Sequence, residues 1–161
     1  MPYVFANLLG LILLFFWSIF APTKAISSNV GTPKISIENR QLMKDTIIIQ
    51  VGTTSFKAIL ETNAAATSLK AMLPLTLEMK DLNSNEKFSD LTRSLPTNVF
   101  NPGTIHSGDL LLWGSNTLVL FYKSFNTPYS YTKLGKIENP NGLAQALGSG
   151  TVKVTIKLHS N

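Results

Sequence analysis

Residues 108–125 read GDLLLWGSNTLVLFYKSF, and this stretch decides the fold. Residues 109–113 and 117–122 are runs of strand-forming residues, and Gly114, Ser115 and Asn116 between them are turn formers. Both runs are almost continuously apolar instead of alternating, so each strand is expected to have neighbours on both faces. That is the pattern of a central hairpin in a closed sheet, with one side filling a barrel and the other lying under a helix or loop.

Downstream, residues 126–129 form an expected loop around Pro128, and 131–137 a strand. Asn139-Pro140 is expected to open a short helix running to Leu147, with proline at its first position and Gly148 beyond its end. Residues 151–158 alternate strictly, with Val152, Val154, Ile156 and Leu158 facing in and Lys153, Thr155 and Lys157 facing out. Upstream, residues 90–107 are the longest irregular region and hold Arg93, Pro96, Phe100, Pro102, Gly103 and His106. Long ordered loops in compact domains are often functional, which makes this region the first place to look for a binding surface.

Residues 86–89 start a strand after a loop over 81–85. Residues 75–80 alternate, with Leu75, Leu77 and Met79 inward and Thr76, Glu78 and Lys80 outward, so one face of that strand is wet. A short helix precedes it, capped by Thr62 or Asn63, carrying the stripe Ala65, Leu69, Met72 and stopped by Pro74. Residues 46–51 and 56–60 flank 52–55 as a hairpin. Strands at both ends of the domain suit a sheet that closes on itself. The expected fold is mainly β, a closed antiparallel barrel with two short helices.

An N-terminal hydrophobic segment precedes this domain. Residues 8–20 are apolar except for Gly10 and Ser18, and Ala21-Pro22-Thr23-Lys24-Ala25 then turns small and polar. This resembles a secretory signal peptide cleaved after Ala25. Residues 1–7 lack the usual basic residues, so an uncleaved anchor over residues 3–21 is the alternative, and only then would the protein be bound to a membrane. Either reading exports the remainder, to the periplasm, the exterior or the envelope. The organisation expected is an export segment over 1–25, a polar tether over 26–45 and a barrel over 46–161.

Cysteine is absent, so a core in a chain that is 44% hydrophobic must hold the fold without disulfides. The formal charge is +5; losing residues 1–25 removes Lys24 and no acid, leaving +4. The basic residues Lys57, Lys70, Lys80, Lys87, Lys123, Lys133 and Lys153 are scattered singly. They read as a solvated surface and build no groove for nucleic acid.

Several motifs then occur in a telling order: IIIQVG at 47–52, NAAATSLKAMLPLTLEM at 63–79, EKFSDL at 86–91 followed by Arg93 and Leu95-Pro96, the 107–125 hairpin, LGKIE at 134–138 and GLAQAL at 142–147. Across residues 47–158 the chain resembles the small bacterial cyclophilin-like fold proteins, a group of largely uncharacterised function. The resemblance implies a closed antiparallel barrel with a helix at each end and a groove on its outer wall. True cyclophilins are prolyl isomerases that pair the arginine of a Phe-x-Arg strand with a Phe-Met-x-Gln-Gly-Gly-Asp-Phe segment. This chain has no such segment; Arg93 lies in Leu91-Thr92-Arg93, and Ser107-Gly108-Asp109-Leu110 is only a distant echo. No catalytic residue transfers.

Prolyl isomerisation asks for an apolar seat for the ring and a donor near the amide nitrogen. Phe88, Arg93, Trp113, Phe121 and Tyr122 are the candidate ligand-binding residues. The plainer assignment makes the aromatics core and Arg93 a loop cation, because alternating strands bury large residues first. His106 with Ser107 or Ser115 and Asp109 draws a triad on paper, but no Gly-x-Ser-x-Gly elbow supports it. His106 and His159, the two histidines, have no metal-ligand spacing. The carboxylates are dispersed, and Gly148-Ser149-Gly150 precedes a strand and not a phosphate-binding helix. Neither metal nor cofactor is expected. The function expected is non-enzymatic: an exported barrel that binds a peptide segment or a small molecule on its surface. The alternative is a weak or vestigial prolyl isomerase of the cell envelope.

Overall fold

The computed structural model describes residues 45–160. The export segment and the tether up to residue 44 lie outside the described residues. The elements are β1 (Thr46–Val51), β2 (Thr54–Leu60), α1 (Ala64–Lys70), β3 (Leu75–Leu82), β4 (Glu86–Asp90), β5 (Val99–Phe100), β6 (Thr104–Ile105), β7 (Asp109–Trp113), β8 (Thr117–Phe121), β9 (Phe125–Asn126), β10 (Tyr131–Ile137), α2 (Leu143–Leu147) and β11 (Val152–Leu158).

The β7–β8 hairpin behaves as its two-sided apolar pattern requires. Leu110 pairs with Leu120 and Leu112 with Leu118, and all four face the main core. Leu111, Val119 and Phe121 point the other way, into a second cluster with Ile105 and Tyr131. The sheet runs β2-β1-β11-β3-β4-β8-β7-β10 and closes through a β10–β2 pairing, giving an eight-stranded barrel. Every ladder is antiparallel. Strand β5 adds beside β10, and β6 and β9 form a separate two-stranded ladder.

Closure depends on one glycine. The register of β10 against β7 shifts between Lys133 and Gly135, and Gly135 then faces Leu110 on one side and Leu60 on the other. A Cβ at Gly135 would lie 2.5 Å from the carbonyl oxygen of Ile59, so only glycine lets the two strands meet. The intervening Leu134 is buried in the main core.

The interior holds Ile47, Ile49, Phe56, Ala58, Met79, Val154 and Ile156, and it is plugged by Ala65, Ala66 and Leu69 of α1 and Leu143 and Leu147 of α2. Helix α1 follows the end of β2 and α2 the end of β10. Because β2 and β10 are antiparallel, the helices sit at opposite ends of the barrel. The α1 start is fixed by Asn63, whose side-chain oxygen accepts the Ala66 N–H at 2.8 Å while its amide donates to the Lys133 carbonyl at 2.9 Å.

Three expectations are corrected. Helix α2 starts at Leu143 and not beside Pro140, because the Asn139 side chain takes the Asn141 N–H and Gly142 adopts φ +80°. Leu158 is 46% exposed although it is in step with Val154 and Ile156, since β3 begins opposite Ile156 and no strand covers the rim beyond it. Residues 90–107, expected to be irregular, are not wholly so. They contain β5 and β6, bury Leu91 and Leu95 in the main core, and are tied to the β7–β8 turn by Leu91 N–H to Asn116 and Leu95 N–H to Ser115, both at 2.7 Å.

Candidate functional site

On β4, two-residue alternation turns Glu86, Phe88 and Asp90 outward and Lys87 into the barrel. The neighbouring strand β8 presents Thr117, Val119 and Phe121 on the same outer face, and β7 adds Leu111 and Trp113. The chain from β9 to the start of β10 returns over this wall with Phe125, Tyr129 and Tyr131. All of these outer-wall residues except Leu111 and Phe121 line a groove of about 460 Å³. Phe88, Trp113, Val119, Phe125, Tyr129 and Tyr131 line its middle; Asn85 and Glu86 stand at one end, Asp90 and Thr117 at the other.

The aromatic wall is braced. Trp113 meets Tyr129 edge to face at 5.4 Å and Tyr131 at a tilt, also at 5.4 Å. Phe121 packs beneath, 5.6 Å from Tyr131 and 5.8 Å from Phe125. Such contacts hold rings in place, so the groove is largely pre-formed. Trp113 and Tyr129 nonetheless remain 44% and 58% exposed, an unusual amount of ring surface left to solvent.

The carboxyls at the two ends differ. Thr117 donates its hydroxyl to Asp90 at 2.6 Å, fixing that carboxylate at the start of β8. Glu86 is only 9% exposed, and burial, with the Asp81 charge adding to it, raises its carboxyl from 4.5 to about 7. Burial also raises the Tyr131 hydroxyl, with Glu86 contributing.

Behind this wall, inside the barrel, lies a polar cluster. Lys87 is fully buried; its ammonium donates to Asp81 and to the Gly150 carbonyl, each at 2.7 Å. Tyr122 donates its hydroxyl to the same Asp81 oxygen at 2.8 Å. The hydrogen bond from Lys87, then that from Tyr122, holds Asp81 below the usual carboxylate range. Burial first, and then the bond to Asp81, pushes Tyr122 up to about 12. Lys87 is therefore not the solvated surface charge expected of it. Its place on β4 points it inward, and its partners make that burial tolerable.

The five candidate residues do not converge. Phe88 and Trp113 share the groove. Phe121 is fully buried beneath the wall and does not line the groove, while Tyr122 faces the opposite way into the core because successive residues of an extended chain alternate sides. Arg93 is exposed in the segment after β4 and lines neither the groove nor the hollow near His106. Glu86, Asp90, Phe125, Tyr129 and Tyr131 were missed. The Glu86-Phe88-Asp90 alternation was there to be read; the return of Tyr129 over the wall was not.

The His106 hollow, of about 330 Å³, also contains Glu61, Asp109, Lys133 and Lys136. His106 Nδ1 lies 3.8 Å from Asp109, but that carboxylate already accepts the His106 N–H at 2.7 Å and pairs with Lys136 at 3.2 Å. Neither Ser107 nor Ser115 lines this hollow, so the paper triad does not assemble. Among the described residues no three His, Cys, Asp or Glu side chains are grouped to hold a metal ion.

A family model described as the cyclophilin-like family matches residues 49–157. No curated protein matches the chain. Among solved structures, the solution structure of a hypothetical protein from Archaeoglobus fulgidus is similar, with a TM-score of 0.49 and 12% identity over 73% of this chain and 96% of that one.

Proposed function

The chain belongs to the cyclophilin-like family, and from that premise we propose that it is a binding domain whose outer-wall groove takes a small ligand or a peptide segment. The observation that supports this reading is the pre-formed aromatic groove, with the Trp113 and Tyr129 rings held edge to face yet open to solvent. The proposal extends to organisation: residues 1–25 export the chain, residues 26–45 tether it, and the barrel over 46–161 works outside the cytoplasm.

A binding role asks only for shape and a few polar groups, both present here. An isomerase role asks for a donor at the prolyl nitrogen, and Arg93, the candidate donor, is absent from the groove lining. A thermal-shift screen on the full chain tests the proposal, because a ligand that binds the folded state raises the melting temperature in proportion to ln(1 + [L]/Kd). A true groove ligand shifts the wild type and not Phe88→Ala. Shifts that survive in Phe88→Ala and in Trp113→Ala would place the ligand elsewhere. In a protease-coupled proline-peptide assay the expected rate equals buffer; turnover lost on Arg93→Ala would instead establish the isomerase.

A further inference from the structure

The ionisable side chains that carry charge in the groove are of one sign. Glu86 and Asp90 bring two carboxyls, and no lysine, arginine or histidine lines the groove, although the chain carries 14 basic residues against 9 acidic ones. Asn85, at the Glu86 end, has a buried side-chain oxygen without a hydrogen-bond partner. The nearest lysine in sequence, Lys87, is turned inward and committed to Asp81 and Gly150. The carboxyl of Glu86 thus has an ion-pair partner in no described residue. The groove offers acceptors and negative charge, framed by the rings of Phe88, Trp113 and Tyr129.

Resting on the reading of this groove as a binding site, we infer that its ligand is a small organic cation: an ammonium or guanidinium group on an apolar or aromatic body. The negative faces of aromatic rings attract such cations, and a carboxylate adds a charge-assisted hydrogen bond. A neutral ligand brings Glu86 no cation, and an anion is repelled by Asp90 and, where its carboxyl is ionised, by Glu86. The volume of about 460 Å³ suits a small molecule, since small-ligand sites span roughly 300–1,000 Å³.

Three probes of one shape and different charge test this: 2-phenylethylammonium, 2-phenylethanol and 3-phenylpropionate. Each is titrated into the full chain by calorimetry, with the Trp113 indole resonance reporting entry to the groove. The ammonium is expected to bind about tenfold or more tightly than the alcohol, and the carboxylate most weakly. Glu86→Gln and Asp90→Asn should each reduce the preference for the ammonium while leaving the affinity for the alcohol in place. Equal affinity for all three, abolished by Trp113→Ala, would overturn the cation while keeping the groove. Absence of any shift at Trp113 with all three would overturn both. A blocked Gly-Lys-Gly peptide binding more tightly than the ammonium would overturn the assignment to a free small molecule.

Discussion

Lys87 shows how much one side chain can decide. A lysine is among the residues least often buried, and burial is tolerable only when the ammonium is paired and hydrogen-bonded. Here Asp81 and the Gly150 carbonyl supply both, and the bond to Gly150 ties the start of β11 to β4 across the barrel end. Lys87→Met should leave Asp81 without its cation and Gly150 without its donor, lowering the melting temperature by about 5–10 °C. An unchanged melt would show that the cluster is ornamental. Next to it, Glu86 and Asp81 make opposite demands on pH. The Glu86 carboxyl titrates near 7 when folded against 4.5 as its ordinary value, so its stabilising contribution is fully present below 4.5 and lost as pH rises through about 7. Asp81 is depressed, so its contribution is present above 3.8 and lost as pH falls below that. Melts at pH 5 and pH 8 should therefore show the wild type losing stability relative to Glu86→Gln at the higher pH. A constant difference between the two proteins would remove the burial argument for Glu86.

Among the elements, β10 and β11 carry the sharpest consequences. Gly135→Ala puts a methyl group 2.5 Å from the Ile59 carbonyl, where the obstacle is backbone and cannot swing away. The β10–β2 ladder should open, and amide hydrogen exchange should accelerate first at Ile59, Leu60 and Ile137. Retained protection there would mean that closure does not need the glycine. On β11, Val154 is fully buried and Lys153 is exposed beside Glu78 at 3.8 Å. Val154→Asp buries a charge without a partner and should cost about 4 kcal/mol or more, enough to unfold a marginal domain. Lys153→Asp should be nearly silent. Comparable melting for the two variants would refute the facing of the whole strand. That facing was legible from the two-residue rhythm, as was the two-sided β7–β8 hairpin. The Leu158 exception was not, because it depends on where β3 begins.

At the scale of the molecule, the barrel separates a core that holds the fold from an outer wall free to hold a ligand. Trp113 belongs to the wall. Trp113→Ala should leave the melting temperature within a few degrees of wild type while removing thermal shifts by groove ligands. A large loss of stability instead would assign that ring to the fold. The groove joins β4, β7 and β8 to Tyr129 and Tyr131, which follow β8 by a further ladder and turn. Only Phe88 and Trp113 of the candidate set fell within it.

Face parity was the part written in the amino-acid order. Alternation says which side of a strand a residue takes, and turn formers such as Gly52 and Gly114 say where strands end. On those grounds alone the chain had to be a mainly β domain with an apolar hairpin at its centre. Tertiary structure decided what each face meets. Parity places Lys87 and Tyr122 on one side of the wall and Glu86 and Phe121 on the other, but which side is interior, and which distant residues arrive there, is set by closure of β10 on β2 and by the register it imposes. The physical reason is range: a strand's rhythm is local chemistry, whereas a groove is made by chain segments brought together only when the barrel shuts.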